Sequence, residues 1–392
     1  MGINIHKITL PLVMTLLAIV PVLDIFSPEE HPLRFYAINA QAVILGFSLL
    51  YFFHTYIGNS IKKTSLHTSL TLFMIMLLIY SILTPNLSIL PVLLYSLSFF
   101  FLSYYLTYNG VLKTKHIQYL AFFLLLVYGY ETYLSIFERA ERLGIFYRKA
   151  ANVGYKSLAL MFLFALDLKK PRNIVLLSVS LLLVVLSFKR GAILSGAVAY
   201  VIAMWPVITG KFQLKRKTVN YFVALGIALI AVAVYLSIQY WDIIAYRFVI
   251  DETYAGSGRV LFWTDIVNGW INADSFNKFF GFGLFKVPEF LSTSLYGSEI
   301  YAHSDWFELL YDHGIFGILI YSTVIVSLIK LRKVVYKYSY SHYYTYLMIL
   351  VIWISKSVYS GNYINKVTIY STLVLGFILA IAYRNKQLMG KN

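Results

Sequence analysis

Residues 8–26 read ITLPLVMTLLAIVPVLDIF, a run of nineteen positions in which Asp24 is the one charged residue. At about 1.5 Å of rise per residue such a run is long enough to cross the hydrocarbon core of a bilayer. Met1–Lys7 precedes it with a basic start, as in a secretory signal peptide. No small-residue cleavage site closes the run, so it is expected to remain as a first membrane helix.

Working outward, similar runs fall at roughly 35–57, 66–83, 87–107, 117–136, 153–168, 173–188, 191–209, 219–240, 308–331, 343–359 and 366–383. Only Lys189 and Arg190 separate the runs 173–188 and 191–209. Of the 392 residues, 59% are hydrophobic and 13% charged, against roughly 45–50% and about 25% in a soluble domain. A soluble core cannot bury that much apolar surface, whereas lipid accepts it. The expected fold is therefore an all-α membrane protein with about twelve transmembrane helices. There is no cysteine, which excludes disulfides and thiolate metal sites.

The charges give an orientation. If the N-terminus is cytoplasmic, alternate loops hold Lys7, Lys62, Lys63, Lys113, Lys115, Lys169, Lys170, Arg172, Lys211, Lys215, Arg216, Lys217, Lys330, Arg332, Lys333, Lys337, Arg384, Lys386 and Lys391. These are 19 of the 33 basic residues, and Asp167 is the one acid near that face. The opposite loops collect most of the acids, including Glu29, Glu30, Asp251, Glu252, Glu289 and Glu299. The positive-inside rule then predicts cytoplasmic N- and C-termini and an even number of spans. The net charge of +16 falls on the face of anionic lipid headgroups, with no nucleic-acid signature beside it. Two outer segments are basic against this rule: Arg139, Arg142, Arg148 and Lys149, and the pair Lys189-Arg190. Two readings stand for the first, a function needing positive charge outside or pairing with Glu138 and Glu141.

Nearly all connections are short, and the exception divides the chain into N-terminal helices 1–240, a large outer loop 241–302 and C-terminal helices 303–392. Long structured loops carry function more often than short ones. Within this loop Gly256-Ser257-Gly258-Arg259 leads into Leu261-Phe262-Trp263 and Ile266-Val267, spaced like one face of a short amphipathic helix. An arginine at a helix start opposes the macrodipole unless it reaches an anion. Gly281-Phe282-Gly283 follows as a turn, and then Ala302-His303-Ser304-Asp305-Trp306 stands directly before the apolar run Phe307–Leu331. Ser304 or Asp305 is placed to cap that helix, fixing His303 at the membrane surface. Gly314 and Gly317 permit close packing of the helix against a neighbour. Each piece has a plainer reading: an interfacial histidine is often structural, and an arginine at a membrane edge often snorkels to headgroups. Their order and spacing are more specific than any one of them.

From Ser187-Phe188-Lys189-Arg190-Gly191 to Tyr311-Asp312-His313-Gly314-Ile315-Phe316-Gly317, about a third of the chain, the sequence resembles the bacterial O-antigen polymerase and O-antigen ligase superfamily. Its members are polytopic inner-membrane glycosyltransferases of GT-C type, and the first half of this chain resembles them only in hydropathy. Where the ligases often carry His-Asn, this chain has His303-Ser304, which tilts the reading toward a polymerase. Gly144–Tyr155 resembles a segment that commonly carries Pro-Asn; Ala151-Asn152 stands here instead, and Asn152 is carried over weakly.

The resemblance implies a GT-C-like bundle acting on glycans linked to undecaprenyl diphosphate, at the periplasmic face of the inner membrane. The diphosphate is a good leaving group, and fixed cations stabilise the charge that develops on it. Arginine suits phosphate through its planar, permanently charged fork. Arg190 and Arg259 are thus expected to hold the diphosphate, with Lys189, Arg148, Asn152 and Gly258 as further substrate contacts. His303 is expected to take the proton of the acceptor hydroxyl, oriented by Asp305 or another carboxylate of the loop. Attack opposite the leaving group inverts the anomeric carbon. The chain has no Asp-x-Asp and no metal-ligand spacing, so no metal and no cofactor are expected, and EDTA inhibition reversed by Mg²⁺ or Mn²⁺ would overturn this. The expected partners are undecaprenyl-diphosphate-linked oligosaccharides, membrane lipids and a chain-length regulator protein. The alternatives are a ligase acting on lipid A–core and a transporter or flippase. Against the transporter stand the missing internal repeat and the few intramembrane charges, read as Asp24, Glu131 and Asp167.

Overall fold

A computed structural model describes residues 5–26, 33–57, 61–84, 90–135, 153–187, 189–211, 235, 259–292, 301–362, 365 and 367–390. Among these the protein is helical, with no strand. Among the described residues, eight helices precede the large loop: α1 (Ile5–Phe26), α2 (Leu33–Ile57), α3 (Ser65–Leu83), α4 (Leu90–Tyr108), α5 (Thr114–Tyr133), α6 (Val153–Ala165), α7 (Pro171–Leu186) and α8 (Arg190–Ile208). The loop contributes α9 (Arg259–Ile271), α10 (Ser275–Phe280) and α11 (Lys286–Leu291). Then come α12 (Asp305–Tyr338), α13 (Tyr343–Tyr359) and α14 (Thr368–Met389).

Six of these, α1, α2, α3, α8, α12 and α14, are long and apolar enough to cross a membrane, and α6 and α7 are shorter apolar helices. The chain is an all-α membrane protein, as its sequence implies. The expected span 219–240 lies outside the described residues, Tyr235 excepted.

Helices that face lipid gain nothing from burying apolar surface against one another, so small residues and hydroxyls join them. The junction of α4 and α14 illustrates this. A Cβ on Gly376 would stand 2.7 Å from the carbonyl oxygen of Phe100, so only glycine lets the two backbones approach. Ser103 donates to the Leu373 carbonyl at 2.6 Å and Thr372 to the Ser96 carbonyl at 2.7 Å. The same logic joins α3 to α12 through Ser69 and Ser327, 2.8 Å apart. With 78% of its span buried, α14 is the inner strut, while Ile79, Ile82 and Leu83 of α3 and Phe35 and Phe53 of α2 stay exposed outward.

The 34 residues of α12 exceed what a bilayer needs. Gly314 interrupts the helix with φ 62° and ψ −159°. The part after this break is long enough to span by itself at about 1.5 Å per residue. The part before it, Asp305–His313, carries three buried acids.

Candidate active site

The loop helices have a small core of their own. Ile266, Val287, Leu291, Ala302 and Tyr311 are buried together, flanked by Phe262, Trp263, Phe282, Phe290 and Phe307. The inward face of α9 is therefore Phe262, Trp263 and Ile266, whereas Leu261 of the expected face is 48% exposed.

Gly281-Phe282-Gly283 and Tyr311-Asp312-His313-Gly314, thirty residues apart in sequence, form one joint. The break at Gly314 releases carbonyls of α12, and the turn uses them: Phe282 N–H donates to Tyr311 O and Gly283 N–H to Asp312 O, each at 2.9 Å. Both backbones come too close for a side chain. A Cβ on Gly281 would stand 2.4 Å from Asp312 backbone atoms, and one on Gly314 would stand 2.4 Å from Phe279 O. The Asp312 carboxylate then accepts the N–H groups of Phe285 (2.9 Å), Lys286 (3.0 Å) and Val287 (3.0 Å) at the start of α11. His313 is fully buried, edge-on to the Tyr80 ring at 4.3 Å between centroids. This motif fixes the loop to the bundle, and its residues are not in the lining of the cavity that His303 borders. Packing of Gly314 against a neighbour is thus only part of its role, because it also breaks the helix.

The joint sets where residues 301–304 lie. Ala302 O accepts from Trp263 Nε1 at 2.8 Å, and Ala302 N–H donates to Glu308 Oε1 at 2.6 Å. The backbone N–H of His303 also bonds the Glu308 carboxylate. Held from both sides, His303 adopts φ 55°, a conformation that costs a non-glycine residue about 1 kcal/mol or more. Ser304 is the N-cap residue of α12, but its hydroxyl donates to Ser357 O at 3.2 Å instead of capping. Asp305, fully buried, accepts from Tyr321 OH (2.7 Å), Asn362 N–H (2.6 Å) and Asn362 Nδ2 (3.2 Å). Its carboxylate ties α12 to the end of α13.

Lys189, Arg190 and Arg259 come to the same place from two directions. Lys189 precedes the first turn of α8, its N–H bonded to Ser187 Oγ at 3.3 Å. Arg259 opens α9 and donates from Nη1 to Tyr359 O at 2.7 Å. Burial holds the Arg259 guanidinium below its ordinary pKa; Tyr155 opposes that shift, and the nearby charge of Arg190 adds to it. Burial also lowers His303, to about 4, and the charges of Arg259 and Lys189 push the same way. The ring keeps an exposed side, which faces a cavity. At neutral pH its imidazole is therefore uncharged and can accept a proton.

Tyr155, which closes the segment 144–155, is a residue that sequence reasoning left out. Its ring centroid lies 5.7 Å from Lys189 Nζ and 5.6 Å from Lys356 Nζ, distances of cation–π contact. A Cβ on Gly191 would stand 2.8 Å from its hydroxyl, so the Lys-Arg-Gly order brings the start of α8 against this ring. Lys356, 4% exposed, is a further charge inside the expected span 343–359. Arg148, Asn152 and Gly258 lie outside the described residues.

The cavity that His303 lines measures about 350 Å³ and passes between α1, α4, α5, α6 and α14, with Asp24, Tyr128 and Lys156 in its wall. Among the described residues, no group of three His, Asp or Glu side chains could hold a metal ion.

Cations from two helix starts and a histidine at a cavity between membrane helices are the setting in which the family comparison is made. Residues 174–322 match the O-antigen ligase family model. The match begins in α7, ends within α12, and so includes Lys189, Arg190, Arg259, His303 and the glycine joint. It supports the O-antigen ligase and polymerase superfamily, whose members are glycosyltransferase-like enzymes, without separating the two activities. No curated protein matches the chain. Glu308 and Asp312 of this family segment were missed because their role lies in accepting backbone N–H groups from outside their own helix, and no short motif announces that.

Proposed function

We propose that the protein is an O-antigen (surface polysaccharide) polymerase, a glycosyltransferase joining undecaprenyl-diphosphate-linked repeat units at the periplasmic face of the inner membrane. The observation that carries this reading is the convergence of Lys189, Arg190 and Arg259 beside His303 at the mouth of a cavity. Arg190 and Arg259 would bind the diphosphate, with Lys189 beside them. His303 would accept the proton of the acceptor hydroxyl as that oxygen bonds the anomeric carbon. The bond from that carbon to the diphosphate oxygen breaks with its electron pair, leaving undecaprenyl diphosphate and an inverted linkage. Burial does most to hold His303 neutral and the cations add to it; the incoming diphosphate offsets the cations, so substrate binding strengthens the base. The arginines supply the charge stabilisation for which other transferases use a metal, which makes the enzyme metal-independent. In this reading both termini are cytoplasmic, and membrane lipids and a chain-length regulator protein are the partners.

Arg259→Ala and His303→Ala should each abolish glycan extension at normal protein level; full chain-length ladders in both would overturn the proposal. Deleting the protein should leave lipopolysaccharide carrying one repeat unit. The second reading is a ligase, favoured by the description of the matching family model. Deletion would then leave no repeat unit on lipopolysaccharide and glycan accumulated on its carrier.

A further inference from the structure

Helix α10, which leads into the glycine joint, has its residue types the wrong way round for a helix in water. Phe276, Phe279 and Phe280 stand at i, i+3 and i+4, so they share one face. They are 68%, 43% and 38% exposed, whereas the polar Asn277 and Lys278 of the same helix are more covered. Asn277 is engaged within the loop, where Asp274 accepts its N–H at 2.9 Å and its Nδ2 at 2.7 Å. Among the described residues, the three phenylalanine rings meet one another and Phe316 of α12. The centroids of Phe276 and Phe279 lie 5.0 Å and 4.8 Å from Phe280, and that of Phe316 lies 5.9 Å from Phe280 and 6.4 Å from Phe279.

Two bonds fix the depth of this face. Tyr80 OH, in the last turn of α3, donates to Phe280 O, and Leu284 N–H donates to Thr84 Oγ1 at 3.2 Å, just past the end of α3. Phe316 is two residues beyond the break at Gly314, in the part of α12 long enough to span. Helix α10 therefore lies beside the ends of two membrane helices. The exposed residues at those ends are apolar on both, with Ile79, Ile82 and Leu83 on α3 and Ile315 and Leu319 on α12. We propose that the Phe276–Phe279–Phe280 face is a membrane-contact surface that seats the large loop among the acyl chains of the leaflet on its side. Lipid is the occupant because the face continues surfaces that lipid already covers, and an exposed apolar patch of this kind marks an interaction site. Phenylalanine adds ring area with no polar group to satisfy, and Lys278 across the helix can extend its ammonium to the headgroups. Gly281 ends α10 and opens the joint, so lipid contact and joint would hold the same end of the loop. The proposal does not depend on the glycosyltransferase reading.

The chain has no cysteine, so a single-cysteine variant takes one nitroxide label. Phe276→Cys and Phe279→Cys are labelled in the full chain in phospholipid nanodiscs. Leu319→Cys is the lipid-facing reference, and Asn272→Cys, exposed in the turn before α10, is the aqueous one. Power saturation compares access of oxygen, which concentrates among acyl chains, with that of a nickel chelate, which stays in water. Labels at 276 and 279 should match Leu319→Cys, with nickel access several-fold below that at Asn272→Cys. Nickel access equal to that of Asn272→Cys at either position would overturn the proposal, since the face would then lie in water. Exclusion of both reagents at either position would also overturn it, since protein, such as a second copy of the chain, would then cover the face. The unsubstituted chain gives a second measurement that no folding defect can obscure. Phospholipids with a diazirine in the acyl chain should cross-link to residues 276–280 on irradiation, and adducts on α3 with none on 276–280 would refute the assignment.

Discussion

Asp312 is buried against backbone donors of the loop, and its substitution separates a structural role from a catalytic one. The carboxylate holds three backbone N–H groups, with Oδ1 accepting from Lys286 and Val287 and Oδ2 from Phe285. Asp312→Asn can keep its oxygen on the Lys286 and Val287 side, which leaves the new amide facing the Phe285 N–H, donor against donor. The cost is one charge-assisted bond and one buried donor without a partner, about 2–3 kcal/mol. Asp312→Ala releases all three donors and costs more. At a factor of ten per 1.4 kcal/mol, Asp312→Asn should lower hydrogen-exchange protection of residues 285–287 by roughly 30- to 100-fold. Protection in α14 should change much less, because its hydrogen bond to α12 is made at Tyr338, at the far end of that helix. The exchange experiment is run on the full chain in detergent, with glycan extension followed in parallel. Extension should fall in step with protection, further in Asp312→Ala than in Asp312→Asn. Full protection of 285–287 in Asp312→Ala, with extension lost, would refute the structural role and make Asp312 a catalytic residue.

Further substitutions probe the remaining links. Gly281→Ala and Gly314→Ala should each prevent the loop from docking, since the added Cβ would stand 2.4 Å from backbone atoms and both sites have positive φ; limited proteolysis within 259–292 reads this, and resistance equal to the parent would refute it. The acid limb of kcat/KM should fall near pH 4, because burial, Arg259 and Lys189 all disfavour the His303 imidazolium. Lys189→Met removes one repelling charge and should move that limb upward, whereas a limb near 6.5 in the parent would remove His303 as the titrating group. Glu308→Ala should lower kcat at least tenfold by releasing Ala302 and His303, with undecaprenyl diphosphate binding unchanged; Glu308→Gln keeps an acceptor oxygen and should stay within about threefold. Equal kcat in Glu308→Ala and the parent would show that Glu308 does not position His303.

The membrane class was legible without coordinates, because lipid imposes a constraint on every residue of a span. A run such as 8–26 is long and apolar enough to span, and the helices observed at Phe35–Ile57, Ser65–Leu83 and Arg190–Ile208 follow from the same arithmetic. The site was half legible. Lys189, Arg190, Arg259 and His303 stood out as candidates from residue chemistry at expected helix ends, and the fold brings them near one another. Tertiary structure decided what each does with its neighbours. Asp305 looked free to orient His303, but it is held by Tyr321 and Asn362. The residue that does hold the 302–303 backbone is Glu308, one turn further along α12. Hydropathy is a property of consecutive residues, and it is enough to define spans. Hydrogen bonds between Asp312 and α11, or the meeting of α1 with His303 across a cavity, depend on distances between segments far apart in the chain, and only the packed helices set those.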